Sequence, residues 1–329
     1  MRACVCDRYG GPEVVRVRER PMPEPRANEV LVRIAAATVS SGDSRLRAMR
    51  LPPGLGVFGR LAFGLRRPRR PVFGMDLAGV VAAVGAGVKR FAVGDRVVGF
   101  PRAGFDCHAQ YRAVAEDDDL VAIPAGFSFE EAVALPFGGM TAVDFLRRAA
   151  LRPGERMLVV GASGAVGCAL VQLGRHFGAE VTGVAGTANQ ALVASLGADR
   201  VVDYTASDIT RGGERFDVIA DTVGIATFSR YRLMLRPGGR LLAVAAGLPD
   251  MLAMAWASLV SRRVVAGPAK AMPGDLAQLV AWAGQGVLRP VIDRCYAMAE
   301  IAAAHAHVDT GRKRGSVVVR MADNGAGAD

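Results

Sequence analysis

Three glycines in the run Gly161-Ala-Ser-Gly164-Ala-Val-Gly167 carry the clearest chemistry in this sequence. An apolar stretch, Met157–Val160, precedes them, and a helix-period run, Cys168, Leu170, Val171, Leu173 and Phe177, follows. The first has the pattern of a strand buried on both faces. Glycines at such a strand-to-helix junction permit a tight turn and close approach of backbone to a pyrophosphate, whose charge the helix N-terminus favours. Gly178 ends the helix and Val181–Val184 supplies a second strand, completing a βαβ unit. The spacing GxxGxxG is one residue off the commonest fingerprint, so the strand before and the helix after carry the assignment of a dinucleotide site.

The end of the second strand bears on which dinucleotide is used. An NAD site places Asp or Glu about 20 residues past the first glycine, on the ribose hydroxyls. Here the strand ends Val184-Ala-Gly-Thr-Ala-Asn-Gln190, and no acid occupies 182–190. Nothing in that stretch repels a 2′-phosphate. Gly186, Thr187 and Asn189 are the candidates at this end, the latter two with hydrogen-bonding side chains. The sequence predicts NADPH over NADH.

Other reactive types are thinly spread. The cysteines, Cys4, Cys6, Cys107, Cys168 and Cys295, form no CxxC pair and are odd in number, which predicts reduced thiols. Cys107-His108 stands without further ligands and reads as structural. Asp43 falls near the start of a helical turn, a favourable place for a carboxylate, and its spacing to Arg47 predicts a pair along that helix. Arg66, Arg67, Arg69 and Arg70 lie in a Pro- and Gly-rich stretch, 52–71, predicted to be a mobile flap with a solvated face.

A chain of 329 residues, half of them hydrophobic and 22% charged, has room for two domains with substantial cores. Its net charge of +10 is almost wholly arginine, since lysine occurs only at 89, 270 and 313. Such a balance attracts nucleic acid, but no nucleic-acid motif is present and aromatics are few for base stacking, so nucleic acid is not an expected partner. The N-terminal run MRACVCDRYGG has no apolar h-region, and the longest apolar run, Met251–Val260, is too short to span a bilayer. A cytoplasmic location without membrane contact is expected.

Period and punctuation outline the elements that position these groups. Val14–Val17 and Val30–Ile34 are short β-rich runs separated by Pro21, Pro23 and Pro25, and residues 36–47 read as a loop entering a helical turn. Residues 73–99 alternate like strands, punctuated by Gly85, Gly87 and Gly94-Asp95, as a curved, barrel-like sheet requires. After the first βαβ unit, a third strand approaches Tyr204, and Phe216–Ala220, Arg240–Ala245 and Arg263–Gly267 complete six. Six strands alternating with helices predict an α/β fold with a doubly wound parallel sheet. Residues 321–329, MADNGAGAD, are expected to be disordered.

The opening MRACVCDRYGGPEVV, the segment GMDLAGVVAAVGAGVKRFAVGDRVVG and the glycine turn together resemble the medium-chain dehydrogenase/reductase superfamily, over about residues 1 to 320. The nearest resemblance is to its zinc-independent quinone oxidoreductase and enone reductase branch, related to ζ-crystallin. This implies a GroES-like, β-rich catalytic domain from 1–126 and 278–320, and a Rossmann domain at 127–277. It implies cofactor contacts at Gly161, Ser163, Gly164, Ala165 and Val166, at Thr141 near the nicotinamide, and at Val223 and Ala245. Tyr204 matches a tyrosine beside the 2′-phosphate in NADPH-using relatives, with Arg312 as substitute for a basic residue absent from the strand end. Ser40 stands where this branch carries an asparagine reaching toward the nicotinamide or the acceptor carbonyl, which makes it the candidate catalytic donor.

Zinc-dependent relatives carry a cysteine where this chain has Ser40 and Ser41, and His-Glu where it has Met75-Asp76; the resemblance therefore implies no zinc. The implied reaction is hydride transfer from NADPH to a quinone or an activated alkene. Alternatives are a metal-free NAD(P)-dependent alcohol or aldehyde dehydrogenase and, in another class, nucleotide-regulated RNA binding. The acceptor pocket would be built by 52–71 and 247–275, and a homodimer would form through 263–268.

Overall fold

The computed structural model describes residues 1–102, 104–209, 213–225, 228–247, 252 and 263–321. The expected tail at 322–329 and nearly all of the apolar run at 251–260 lie outside the described residues.

Strands β1 (Arg2–Cys6) and β2 (Val15–Glu19) pair as an antiparallel hairpin. A larger sheet takes β3 (Glu29–Val39), β4 (Leu77–Val84), β5 (Arg96–Gly99), β6 (Tyr111–Ala115) and β7 (Leu120–Ala122). The chain then forms β8 (Arg156–Val160), β9 (Glu180–Ala185), β10 (Arg200–Asp203), β11 (Phe216–Asp221), β12 (Leu235–Ala243) and β13 (Arg263–Ala266). Finally β14 (Ile292–Ala297) and β15 (Ser316–Arg320) return to the earlier sheet, whose order is β14-β15-β3-β4-β5-β7, with β6 on β3.

The six middle strands are all parallel, in the order β10-β9-β8-β11-β12-β13. This is the doubly wound sheet the sequence predicts. Its central strand shows why the apolar run at 157–160 forms no amphipathic element. Met157 and Val159 pack into the core on one face, and Leu158 and Val160 into the core on the other. The order reverses between β8 and β11, and the crevice at the carboxyl ends of those strands is where such sheets bind ligands.

Four expectations need correction. The strand foreseen at Val30–Ile34 runs on to Val39, because β15 pairs Val317–Arg320 antiparallel against Val39–Ala36. The stretch 52–71 is not without structure: Gly56–Phe63 forms a helix, tied down where Tyr9 Oη donates to Gly64 O at 2.9 Å. Val57, Phe58 and Leu61 of that helix are exposed, so burial imposes no clean apolar period on it. Arg47 does not pair with Asp43. Its guanidinium is buried and donates to Asp309 Oδ2 at 2.5 Å and to Gly10 O. Met321, foreseen in the tail, is buried, and its N–H donates to Ala35 O at 2.8 Å.

The helix Asp275–Gly284 packs Leu276 and Leu279 into one core with Met140 and Val143 of the helix Pro136–Ala149. The chain re-enters the larger sheet of β3 at β14, which pairs parallel with β15.

Candidate active site

The glycine turn has the geometry a pyrophosphate needs. Gly161 adopts φ +78°, and a Cβ on Gly167 would lie 2.1 Å from Gly161 O, so neither position admits another residue without a shift. The helix Ala165–His176 starts behind Gly164 with no side chain capping it, leaving its first N–H groups for an anion. The residues present therefore fit a dinucleotide.

Ser163 ties three segments together. Its carbonyl accepts the Gly315 N–H at 2.8 Å, and its hydroxyl oxygen accepts Asn189 Nδ2 at 3.3 Å. The C-terminal run 311–315 is thus docked on the glycine turn, with Gly164 and Gly315 forming a bridge. Behind this contact Lys313 is half-buried, donating to Gly315 O at 2.5 Å, and desolvation pulls its pKa down to about 8.

At the end of β9 the structure adds a residue that inspection of 182–190 does not find. Asp203, at the end of the neighbouring β10 and in register with Ala185, turns its carboxylate to the same place. Thr187 Oγ1 donates to Asp203 Oδ2 at 2.6 Å and Gln190 Nε2 does so at 2.8 Å, while Thr205 Oγ1 donates to Oδ1 at 2.7 Å. These donors hold its pKa below the usual carboxylate value. Thr187 is therefore engaged with an acid. Tyr204 is 64% exposed, and its hydroxyl lies 3.3 Å from where a Cβ on Gly186 would stand. The exposed Arg312 side chain makes no ion pair among the described residues.

Beyond the turn opens a cleft of about 610 Å³ between the two large sheets. Thr141, Val166, Thr222, Val244 and Ala245 line it from the parallel-sheet side, and Ser41, Gly42, Arg45 and Met75 from the other. Thr141 Oγ1 donates to Phe137 O at 2.7 Å. Asp221 shapes the rim: its Oδ1 accepts the N–H groups of Val223 at 2.9 Å and Gly224 at 2.8 Å. Its Oδ2 accepts Tyr231 Oη at 3.1 Å, and burial with that carboxylate pushes the phenol pKa up. Val223 is held over the turn, its Cγ2 2.5 Å from where a Cβ on Gly161 would stand. Of the two segments expected to build the pocket, only the second contributes, through Gly267–Ala271; the helix at 56–63 instead borders a separate pocket of about 210 Å³ with Tyr9, Phe73 and Phe105.

Ser40 is placed differently from the donor role the resemblance implies. It caps the helix Ser41–Arg47 and is buried. Its hydroxyl donates to Asp43 Oδ2 at 2.6 Å and accepts the Asp43 N–H at 3.1 Å; Asp43 Oδ1 accepts Gly74 N–H at 3.0 Å. The hydroxyl proton is committed to Asp43, and Ser40 is not among the cleft-lining residues. The spacing S-x-x-D is itself a capping signal, legible without the structure. Nearby, Asp76 accepts both the N–H and the hydroxyl of Thr38, at 2.8 and 2.7 Å. Burial pushes its pKa up to about 7 against the pull of those donors. Cys107 and His108 are tied into the fold, by Arg112 Nη1 on the sulfur at 2.7 Å and by Thr38 O at 2.9 Å from Nε2. Among the described residues no three His, Cys, Asp or Glu are grouped as for a metal ion.

Comparison with known proteins agrees with this architecture. Residues 26–144 match the alcohol dehydrogenase GroES-like domain, and 196–319 match the zinc-binding dehydrogenase domain. The chain is 31% identical to a 2-methylene-furan-3-one reductase of Solanum lycopersicum, over 97% of this chain and 79% of that one. It is 28% identical to an NADPH-dependent alkenal/one oxidoreductase of Arabidopsis thaliana, over 97% and 79%. Among solved structures, the quinone oxidoreductase of Coxiella burnetii superposes with a TM-score of 0.86 at 26% identity, covering 97% of this chain and 99% of that one. The fold and site are those of a two-domain dinucleotide oxidoreductase. The chain belongs to the medium-chain dehydrogenase/reductase superfamily, in the branch of quinone oxidoreductases and enone reductases.

Proposed function

We propose that this protein is a zinc-free, NADPH-dependent reductase that adds hydride to a quinone or to the β-carbon of an α,β-unsaturated carbonyl compound. The observation that carries the reading is the cleft of about 610 Å³ that shares Val166 with the glycine-turn helix and is walled by apolar side chains. NADPH supplies the hydride. The glycine turn and the first N–H groups of the helix Ala165–His176 hold the pyrophosphate. Thr141, Val223 and Ala245 flank the nicotinamide end. Phe100, Phe137 and Met140 take the acceptor's hydrocarbon body and exclude water. Backbone N–H groups facing the cleft at Ser41-Gly42 are positioned to stabilise negative charge on the acceptor oxygen, and water returns the proton. Ser40 acts as a positioning residue through the helix it caps.

Tyr204 and Arg312 take the 2′-phosphate in this reading, and the full engagement of Asp203 by three side-chain donors tempers its repulsion. Asp203 also supports a second reading, an NAD(H)-linked dehydrogenase of alcohols or aldehydes, in keeping with the names of the two matched domains. NADPH and NADH oxidation measured against quinones, enones and aldehydes, with and without chelator, separates the two. Chelator-insensitive NADPH oxidation by enones or quinones supports the first reading; NADH-linked turnover of aldehydes alone overturns it.

The same reading takes a homodimer joined through β13, which among the described strands pairs only with β12 and leaves an edge. It places the protein in a reducing compartment, the cytoplasm, where its five free cysteines stay reduced. Among the described residues no helix is long and apolar enough to cross a membrane.

A further inference from the structure

Hydride transfer to a neutral acceptor leaves one group in the cleft unexplained. Arg45, on the helix Ser41–Arg47, is half-buried and lines the cleft, with Lys270 lining it from the segment after β13. Among the described residues neither side chain makes a hydrogen bond or an ion pair; Lys270 is exposed, whereas Arg45 is half-buried. Among the described residues none of the acids close by pairs with Arg45. Asp43 holds Ser40 and Gly74, and Asp119, in the cleft wall, faces Arg102 at 3.7 Å. Arg102 has a second acid, Asp118, at 3.7 Å; among the described residues Arg45 has none.

A guanidinium does not escape this by losing its proton, because its pKa is too high. Burial pulls on Arg45, and no carboxylate offsets that pull. An uncompensated, partly desolvated charge is costly, and it is retained where a ligand supplies the missing partner. The pyrophosphate is not that partner: it belongs to the glycine turn on the parallel-sheet side, whereas Arg45 projects from the opposite wall.

We infer that the acceptor itself carries the counter-charge: the substrate is an enone or quinone bearing a carboxylate or phosphate, held by Arg45 with Lys270 at the mouth of the cleft. This rests on the hydride-transfer reading above. The planar guanidinium matches either anion with two parallel hydrogen bonds, while Phe100, Phe137 and Met75 accommodate the carbon skeleton between anion and reacting bond. Hydride and one proton add across the acceptor's double bond, and the anionic group passes through unchanged.

The test compares an enone carrying a carboxylate several methylenes from the alkene with its methyl ester, so that both have the same intrinsic reactivity. The wild type should favour the carboxylate in kcat/KM by about 10- to 100-fold. That ratio should fall toward unity in Arg45→Met and be partly restored in Arg45→Lys. A wild-type ratio at or below one, or a ratio unchanged in Arg45→Met, overturns the inference. Calorimetric titration of the saturated keto acid into protein with NADP⁺ gives an answer independent of turnover. If neither enone is reduced, keto-acid binding that is lost in Arg45→Met sustains the anion site and overturns the reductase reading. Absence of keto-acid binding overturns the site unless inorganic phosphate binds in its place with the same dependence on Arg45, which assigns the anion as phosphate.

Discussion

Replacing Ser40 with alanine separates a positioning role from a catalytic one. The substitution removes two hydrogen bonds of a buried capping box, the hydroxyl donating to Asp43 Oδ2 at 2.6 Å and accepting the Asp43 N–H at 3.1 Å. Two other donors to Asp43, the N–H groups of Ser40 at 2.8 Å and Gly74 at 3.0 Å, remain. Loss of an N-cap costs about 0.5–2 kcal/mol. Loss of a hydrogen bond to a charged group costs about 1.5–3 kcal/mol. Because both fall on one side chain they overlap, and a total of about 2–3 kcal/mol is expected. In a protein of this size that lowers the melting temperature by roughly 3–4 °C. Calorimetry on the wild type, Ser40→Ala and Ser40→Thr tests this, with threonine restoring most of the loss because it keeps the hydroxyl. Well below the melting temperature, kcat/KM should fall only a few-fold, since Ser40 acts through the helix that carries Arg45. An unchanged melting temperature with a loss of roughly 100-fold or more in turnover, the signature of a donor at developing charge, would refute the reasoning.

Gly167→Ala should abolish dinucleotide binding, since the new Cβ meets Gly161 O at 2.1 Å; cofactor fluorescence titration reads the loss, and unaltered affinity would show that the turn yields. Asp203→Asn should raise the NADPH to NADH ratio in kcat/KM several-fold while keeping the acceptor for Thr187, and an unchanged ratio would place the 2′-phosphate elsewhere. His305 is buried with neither ring nitrogen hydrogen-bonded, and burial, then the charges of His108 and Arg47, hold its pKa well below 6.5. It folds neutral, so below pH 6.5 the unfolded chain takes up a proton that the folded chain refuses. Its contribution is full above that pH and is lost as pH falls, by at most about 1.4 kcal/mol per unit. Asp76 runs the other way: with its pKa raised from 3.8 to about 7, its contribution is full below pH 3.8 and is lost as pH rises toward 7. Urea unfolding from pH 4.5 to 7 should therefore show a flatter acid limb for His305→Leu than for the wild type, and parallel curves would disprove the neutral imidazole. Val265→Lys should split the proposed dimer, checked by sedimentation; a wild type that sediments as a monomer at micromolar concentration would leave β13 an unpartnered edge.

Much of the fold was legible because its signals are local. The runs Met157–Val160, Val181–Val184 and Phe216–Ala220 are short and largely apolar, and each became an inner strand of the parallel sheet. The helix at 56–63 is not legible in the sequence because its outward apolar residues obscure the period that normally betrays a helix. Capping chemistry is also local: Ser40 and Asp43, three apart, spell a helix start before they suggest a catalyst.

By itself, then, the sequence determined the parallel sheet, the glycine turn and the crevice where a dinucleotide lies, since each depends on residues within a turn or a strand of one another. Only the tertiary structure decided what surrounds that crevice. Asp203 reaches Thr187 because β10 lies in register beside β9, and Arg47 finds Asp309 across 262 positions of chain. Arg45 has no partner among the described residues, while Ser44 and Arg47 of the same helix both reach Asp309. Hydrogen-bond and charge partners are set by which strands and helices become adjacent in space, and adjacency between distant segments leaves no mark in the spacing of either one.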